Sequence, residues 1–90
     1  MGQVAEKIEG KLKARFEPLV LEIVDESHLH KGHAGAPEGG ESHFRVKIVS
    51  ELFGKMNRVE RQRAVNDTLK DELAGPVHAL SIQALTPGEA

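Results

Sequence analysis

The sequence predicts an α+β domain of two layers, with a three-stranded mixed sheet packed against helices in the order helix, strand, strand, helix (one or two), strand. Three observations predict it. Apolar residues recur every four positions near the start of the chain, the period of a helix with one buried face. Later stretches alternate apolar and polar residues, the period of a strand with one wet face. A second helical stretch separates the last two strands, and a helical crossover lets the strands it joins run parallel.

The first helix is carried by Val4, Ile8, Leu12 and Phe16, with Glu6, Lys7, Glu9, Lys11 and Lys13 between them. Pro18 ends it, because the residue before a proline avoids helical geometry. Residues 19–26 read as a strand whose Leu19, Leu21 and Ile23 share a face. Residues 27–41 hold His, Gly and Pro without periodicity and read as a loop too long for a tight hairpin. Residues 43–50 form the second strand, where Phe44, Val46 and Ile48 alternate with Arg45 and Lys47. Gly54 interrupts the chain and Asn57 suits a helix N-cap. From Arg58 to Leu73, Val59, Gln62, Val65, Leu69 and Leu73 fall at helical spacing, with a break expected near residues 64–67. Gly75-Pro76 stops this helix, and residues 77–85 read as the third strand, with Leu80, Ile82 and Ala84 on one face. The whole makes one domain over residues 1–90, with its core at about 4–86 and a short tail at 87–90.

Composition excludes several function classes. Ninety residues leave a thin core and little room for a deep catalytic cavity. Twelve basic against 14 acidic side chains give a net charge of −2, whereas dedicated nucleic-acid binders are usually basic. Three Phe and no Trp or Tyr leave few rings on which single-stranded bases could stack. With no Cys there is no disulfide, thiolate nucleophile or Cys-based zinc site, so any soft-metal chemistry must borrow thiolates from a partner. No apolar run approaches the roughly 20 residues of a membrane span. Residues 1–10 resemble neither a signal peptide nor a transit peptide, so the cytosol is the expected location and no membrane partner is expected.

Candidate sites are few. His28, His30 and His33 form an H-x-H-x-x-H run that could hold Zn, Ni or Cu, though without the two-plus-two spacing of a structural zinc site. His43 alternates with Phe44 on the wet face and reads as a structural or surface residue. His78 shares strand parity with Leu80, Ile82 and Ala84, which also fits a packed histidine at the core edge. Lys55, Arg58, Arg61 and Arg63 against Glu60 make a local basic run, able to meet phosphate or a partner but equally a solvated helix face. Asp25 and Glu26 are neighbours on a strand, face opposite ways and cannot work as a paired acid and base, so no enzyme is expected.

The stretches 24–27 (VDES), 41–46 (ESHFRV), 48–50 (IVS), 61–63 (RQR) and 77–82 (VHALSI) occur in the order found in the BolA family, and the chain resembles that family from about Glu6 to Pro87. The resemblance implies a fold like a type II KH domain. The GXXG loop with which KH domains clamp nucleic acid is absent, since residues 58–73 contain no Gly. It also implies pairing with a CGFS-type monothiol glutaredoxin and a shared [2Fe–2S] cluster, to which the glutaredoxin and glutathione bring thiolates, with no cofactor held tightly by the free chain. The family's ligand histidine near the start of the last strand matches His78, and its loop histidine, in a His-Ala step, matches His33. Histidine in place of thiolate raises a cluster's potential, and imidazole must be neutral to bind. Family members are also described as transcription regulators, which gives the alternative that Arg58, Arg61 and Arg63 contact DNA.

Overall fold

The computed structural model of the protein describes residues 2–26 and 42–90. Its elements are α1 (Gln3–Phe16), β1 (Val20–Asp25), β2 (His43–Val49), a 3₁₀ turn (Glu51–Lys55), α2 (Arg58–Thr68), α3 (Lys70–Ala74) and β3 (Ala79–Leu85). The strands lie in the order β1-β2-β3. β1 pairs antiparallel with β2, from Val20 opposite Val49 to Asp25 opposite Phe44. β2 pairs parallel with β3, from His43 beside Ala79 to Val49 beside Leu85, because the crossover through α2 and α3 returns the chain to the same end of the sheet. The α+β class, the element order and the mixed sheet are those expected.

One face of the sheet carries the core. Phe44, Val46 and Ile48 project from β2 into a cluster completed by Ala5, Ile8, Leu12 and Phe16 of α1, Phe53 of the 3₁₀ turn, Val65 and Leu69, while Leu21, Ile23, Leu80, Ile82 and Ala84 pack at its margin. Burying each such large apolar side chain contributes about 1.5–3 kcal/mol. The ion pair of Lys11 with Glu72, at 2.9 Å, ties α1 to α3. Glu72 is only 6% exposed, and its carboxylate is compensated by an ammonium whose own pKa that hydrogen bond raises.

The ends of elements differ from the sequence reading for local reasons. Leu19 precedes β1 and is 64% exposed, so it leaves the face it was expected to share with Leu21 and Ile23. Val59 sits in the first turn of α2 and is 57% exposed. The helix breaks at Leu69 rather than at residues 64–67. There the Thr68 hydroxyl donates to the Ala64 carbonyl at 2.7 Å, a side-chain bond that competes with the helical ladder. Asn57 does cap α2, in a reciprocal capping box with Glu60.

The 3₁₀ turn has no counterpart in the sequence reading. It is held by Ser50, 1% exposed, whose hydroxyl donates to the Phe16 carbonyl at 2.7 Å and accepts the Leu52 N–H at 3.2 Å. That hydroxyl closes the C-terminus of α1 onto the end of β2 and lets Phe53 pack 5.0 Å from Phe16, ring centre to ring centre. Ser50→Ala orphans a buried carbonyl and should cost about 1–3 kcal/mol. The urea midpoint should fall with the slope unchanged, and an unmoved midpoint would show the hydroxyl to be dispensable.

Candidate metal centre

The N-terminal end of β2 is a welded corner. The Ser42 carbonyl accepts the backbone N–H groups of His78 (2.7 Å) and Ala79 (3.2 Å), and the His43 carbonyl accepts that of Glu26 (2.7 Å). Ser42 is 1% exposed. Two consecutive residues therefore fix the end of β1, the start of β2 and the entry to β3. His78 stands on this corner with its side chain exposed, one residue before β3 begins. Strand parity does not reach it, so it is not a packed core-edge residue.

His43 is half-buried, and its ring centre lies 6.1 Å from that of His78 with the planes inclined by 33°. Its Nδ1 is 2.8 Å from the Ser42 hydroxyl. The sequence reading left His43 on the wet face without a role. The signal that could have found it is the parallel register, which sets His43 beside Ala79 and hence next to His78. Nearby, Arg45 pairs with Glu26 at 2.9 Å. Among the described residues no three His, Cys, Asp or Glu side chains converge as a metal-sized group. His28, His30 and His33 lie outside the described residues.

The four cations of the basic run do not act alike. Lys55, Arg58 and Arg63 are exposed. Arg61 is turned inward, its side chain 11% exposed. Its Nε donates to the carbonyls of Phe53 (3.1 Å) and Met56 (3.0 Å), and its Nη1 to that of Ala84 (3.2 Å) and to Glu89 Oε1 (2.6 Å). A groove of about 300 Å³ runs here between Arg58, Arg61, Gln62 and the last residues of β3. Its lining along β3 begins at Ile82, four residues or roughly 13 Å along the strand from His78.

The tail is fixed by the same arginine. The Thr86 N–H bonds Glu89 Oε1 at 2.8 Å, and this bond, with that from Arg61, lowers the Glu89 pKa to about 2. A carboxyl depressed in the folded state stabilises the fold above its unfolded pKa, and that contribution disappears as pH falls through the folded one. The Thr86 amide resonance should accordingly titrate with a midpoint near pH 2, and Glu89→Gln should abolish that step. A midpoint at the ordinary glutamate value would refute the latch.

The model of the BolA-like protein family matches residues 12–89. The chain belongs to that family. It is 49% identical over 88 residues to BolA-like protein 1 of Mus musculus, covering 98% of this chain and 61% of the mouse protein. It is 44% identical over 86 residues to the DNA-binding transcriptional regulator BolA of Vibrio cholerae, covering 96% of this chain and 77% of that one. The BolA domain of SufE1 from Arabidopsis thaliana superposes with a TM-score of 0.89 at 41% identity, covering 100% of this chain and 99% of the plant domain. Among the described residues of this BolA-like chain, no helix is long and apolar enough to cross a membrane.

Proposed function

We propose that this BolA-like chain is an iron–sulfur adaptor that binds a CGFS-type monothiol glutaredoxin and shares a [2Fe–2S] cluster with it and its glutathione, for assembly, trafficking or iron sensing. The observation that carries the reading is His78, an exposed imidazole on a backbone corner fixed by three hydrogen bonds, in a chain with no cysteine. A soft metal held here needs thiolates, and this chain has none to give, so the donor set fits a shared site and not a self-contained one. Bound between thiolates and imidazole, the cluster supplies iron and sulfide for transfer, or a redox signal. In this reading His78 and the loop residue His33 are the ligands from this chain. The exposed side chain of His78 meets the partner without rearrangement of the sheet. The chain is a binding module, not an enzyme, and works in the cytosol.

The test is anaerobic reconstitution of the cluster on a mixture of the two proteins, read by visible absorption and circular dichroism. A heterodimer with a spectrum different from that of the glutaredoxin homodimer is expected. If the proteins elute separately and the spectrum stays that of the homodimer, the adaptor reading fails.

A second reading, DNA binding, is favoured by the name of the Vibrio cholerae relative and by the exposed Arg58 and Arg63 at the start of α2. It predicts sequence-preferring binding that weakens steeply with salt. Removing both arginines should lower the slope of log affinity against log salt by about 2. Weak binding, equal on all sequences, would dismiss it.

A further inference from the structure

We propose that the groove between α2 and the outer edge of β3 takes an extended acidic peptide segment of another protein, which joins the sheet as a fourth strand and sets a carboxylate against Arg58. This surface lies apart from the His78 corner, and its occupancy depends on neither a cluster nor DNA.

The edge follows from the order of the sheet, in which β3 has β2 on one side and forms the margin on the other. Hydrogen bonds show which of its residues turn outward. The Ala79 N–H goes to the Ser42 carbonyl (3.2 Å) and the Leu85 carbonyl accepts the Ser50 N–H (2.9 Å), so the odd-numbered residues of β3 aim their backbone groups at β2. Those of Leu80, Ile82 and Ala84 alternate with them and aim away. The Ala84 carbonyl bears this out, because it accepts Arg61 Nη1 from the outer side at 3.2 Å. Among the described residues, no backbone group pairs with the Ile82 or Ala84 N–H from that side. Such a row of outward donors and acceptors is the template on which an extended peptide adds a strand. Arg61 closes the row at Ala84 and so bounds the segment that fits.

The groove lies toward the end of the sheet where Leu85 stands beside Val49, opposite to the end at Ser42 and Glu26. Its volume of about 300 Å³ suits a short segment. Charge names the class of segment. Arg58 is exposed on the α2 wall, with Gln62 one turn further along the same wall. Glu60, the nearest acid in sequence, is engaged in the capping box with Asn57. The exposed Lys55 and Arg63 add to the positive potential of this side. The groove already holds one carboxylate, that of Glu89, bound to Arg61 at 2.6 Å and to the Thr86 N–H at 2.8 Å. A phosphate chain would meet the same cations, but the backbone groups of β3 match the repeat of another extended polypeptide, and a net charge of −2 disfavours nucleic acid.

The experiment titrates the full chain with a capped hexapeptide of alternating Thr and Glu, read by amide NMR and hydrogen exchange. The amides of Ile82 and Ala84 should shift together and exchange more slowly in the bound state. Two further hexapeptides carry N-methyl groups on alternate amides, one on the Thr set and the other on the Glu set. An added strand turns one set toward β3, so one of these peptides should lose binding and the other keep it. Equal effects of the two sets would overturn the proposal. Arg58→Glu places an acid in the first turn of α2, where the helix favours it, so the fold is kept. That variant should bind the Thr–Glu peptide roughly tenfold more weakly and gain affinity for a Thr–Lys peptide. Unchanged affinity for the Thr–Glu peptide would sink the idea. Displacement of the peptide by oligothymidylate, with tighter binding to the same amides, would give the groove to nucleic acid and overturn it. Protection of Ile82 that rises with protein concentration in the absence of peptide would make the occupant a second copy, and the proposal would fail in that case too.

Discussion

Replacing His78 with Ala is expected to return the cluster spectrum of the mixed proteins to that of the glutaredoxin homodimer while leaving the fold as it is. Both halves of that expectation come from the same geometry. The His78 side chain is exposed and outside the core cluster, and its structural contribution is the backbone N–H to the Ser42 carbonyl, which Ala keeps. A surface change of this kind moves stability by no more than about 0.5 kcal/mol. The imidazole, by contrast, is the group that the adaptor reading assigns to the iron, and it is exposed at that corner. On that reading its removal would leave a coordination position open, which water or a second glutaredoxin would fill. Size-exclusion elution with visible circular dichroism, alongside urea unfolding of the free variant, reads both halves. A heterodimer spectrum that survives His78→Ala would remove His78 from the ligand set, and a large drop in the urea midpoint would reassign it to the fold.

The parts legible in the sequence were those in which one element carries its own signal. The four-residue repeat of α1 is complete within the helix, and its residues Ile8, Leu12 and Phe16 are buried as that repeat requires. The alternation in β2 likewise assigns Phe44, Val46 and Ile48 to the core without reference to any other segment. What sequence reasoning missed depends on contacts between segments far apart in the chain. The 3₁₀ turn exists because Ser50 reaches the Phe16 carbonyl, 34 residues earlier. Val59 fits the helical period but is exposed, and period alone does not say where a neighbour ends. The candidate site divides in the same way. His78 is singled out by a run of matching residues, whereas its proximity to His43 is a property of the parallel register, which neither strand specifies alone.

Arg61 shows what that division means for function, and Arg61→Ala is expected to cost about 2–4 kcal/mol of stability, or roughly 10–25 °C in Tm. In the sequence it is one of four cations in a basic run. In the fold it gathers three carbonyls, from Phe53, Met56 and Ala84, and the carboxylate of Glu89, with its guanidinium 6.0 Å from the Phe53 ring centre. Those acceptors come from the 3₁₀ turn, the residue after it, β3 and the tail, so one side chain holds four segments together. Truncation removes this donor from the carbonyls of Met56 and Ala84, whereas that of Phe53 keeps the Met56 N–H; each unmet buried group costs about 1–3 kcal/mol before relaxation or water entry recovers part of it. Charge alone does not meet the need. A lysine ammonium lacks the planar fork that serves two directions at once, so Arg61→Lys should recover only a minor part of the loss. Arg58→Ala and Arg63→Ala, at exposed positions, should each stay within about 0.5 kcal/mol of the parent. Thermal and urea unfolding of the four variants would test this, and an Arg61→Ala protein as stable as the parent would refute the structural role. The consequence for the DNA reading is direct: weaker DNA binding by an Arg61 variant reports a loosened fold, whereas the same loss in an Arg58 or Arg63 variant of unchanged stability reports a contact.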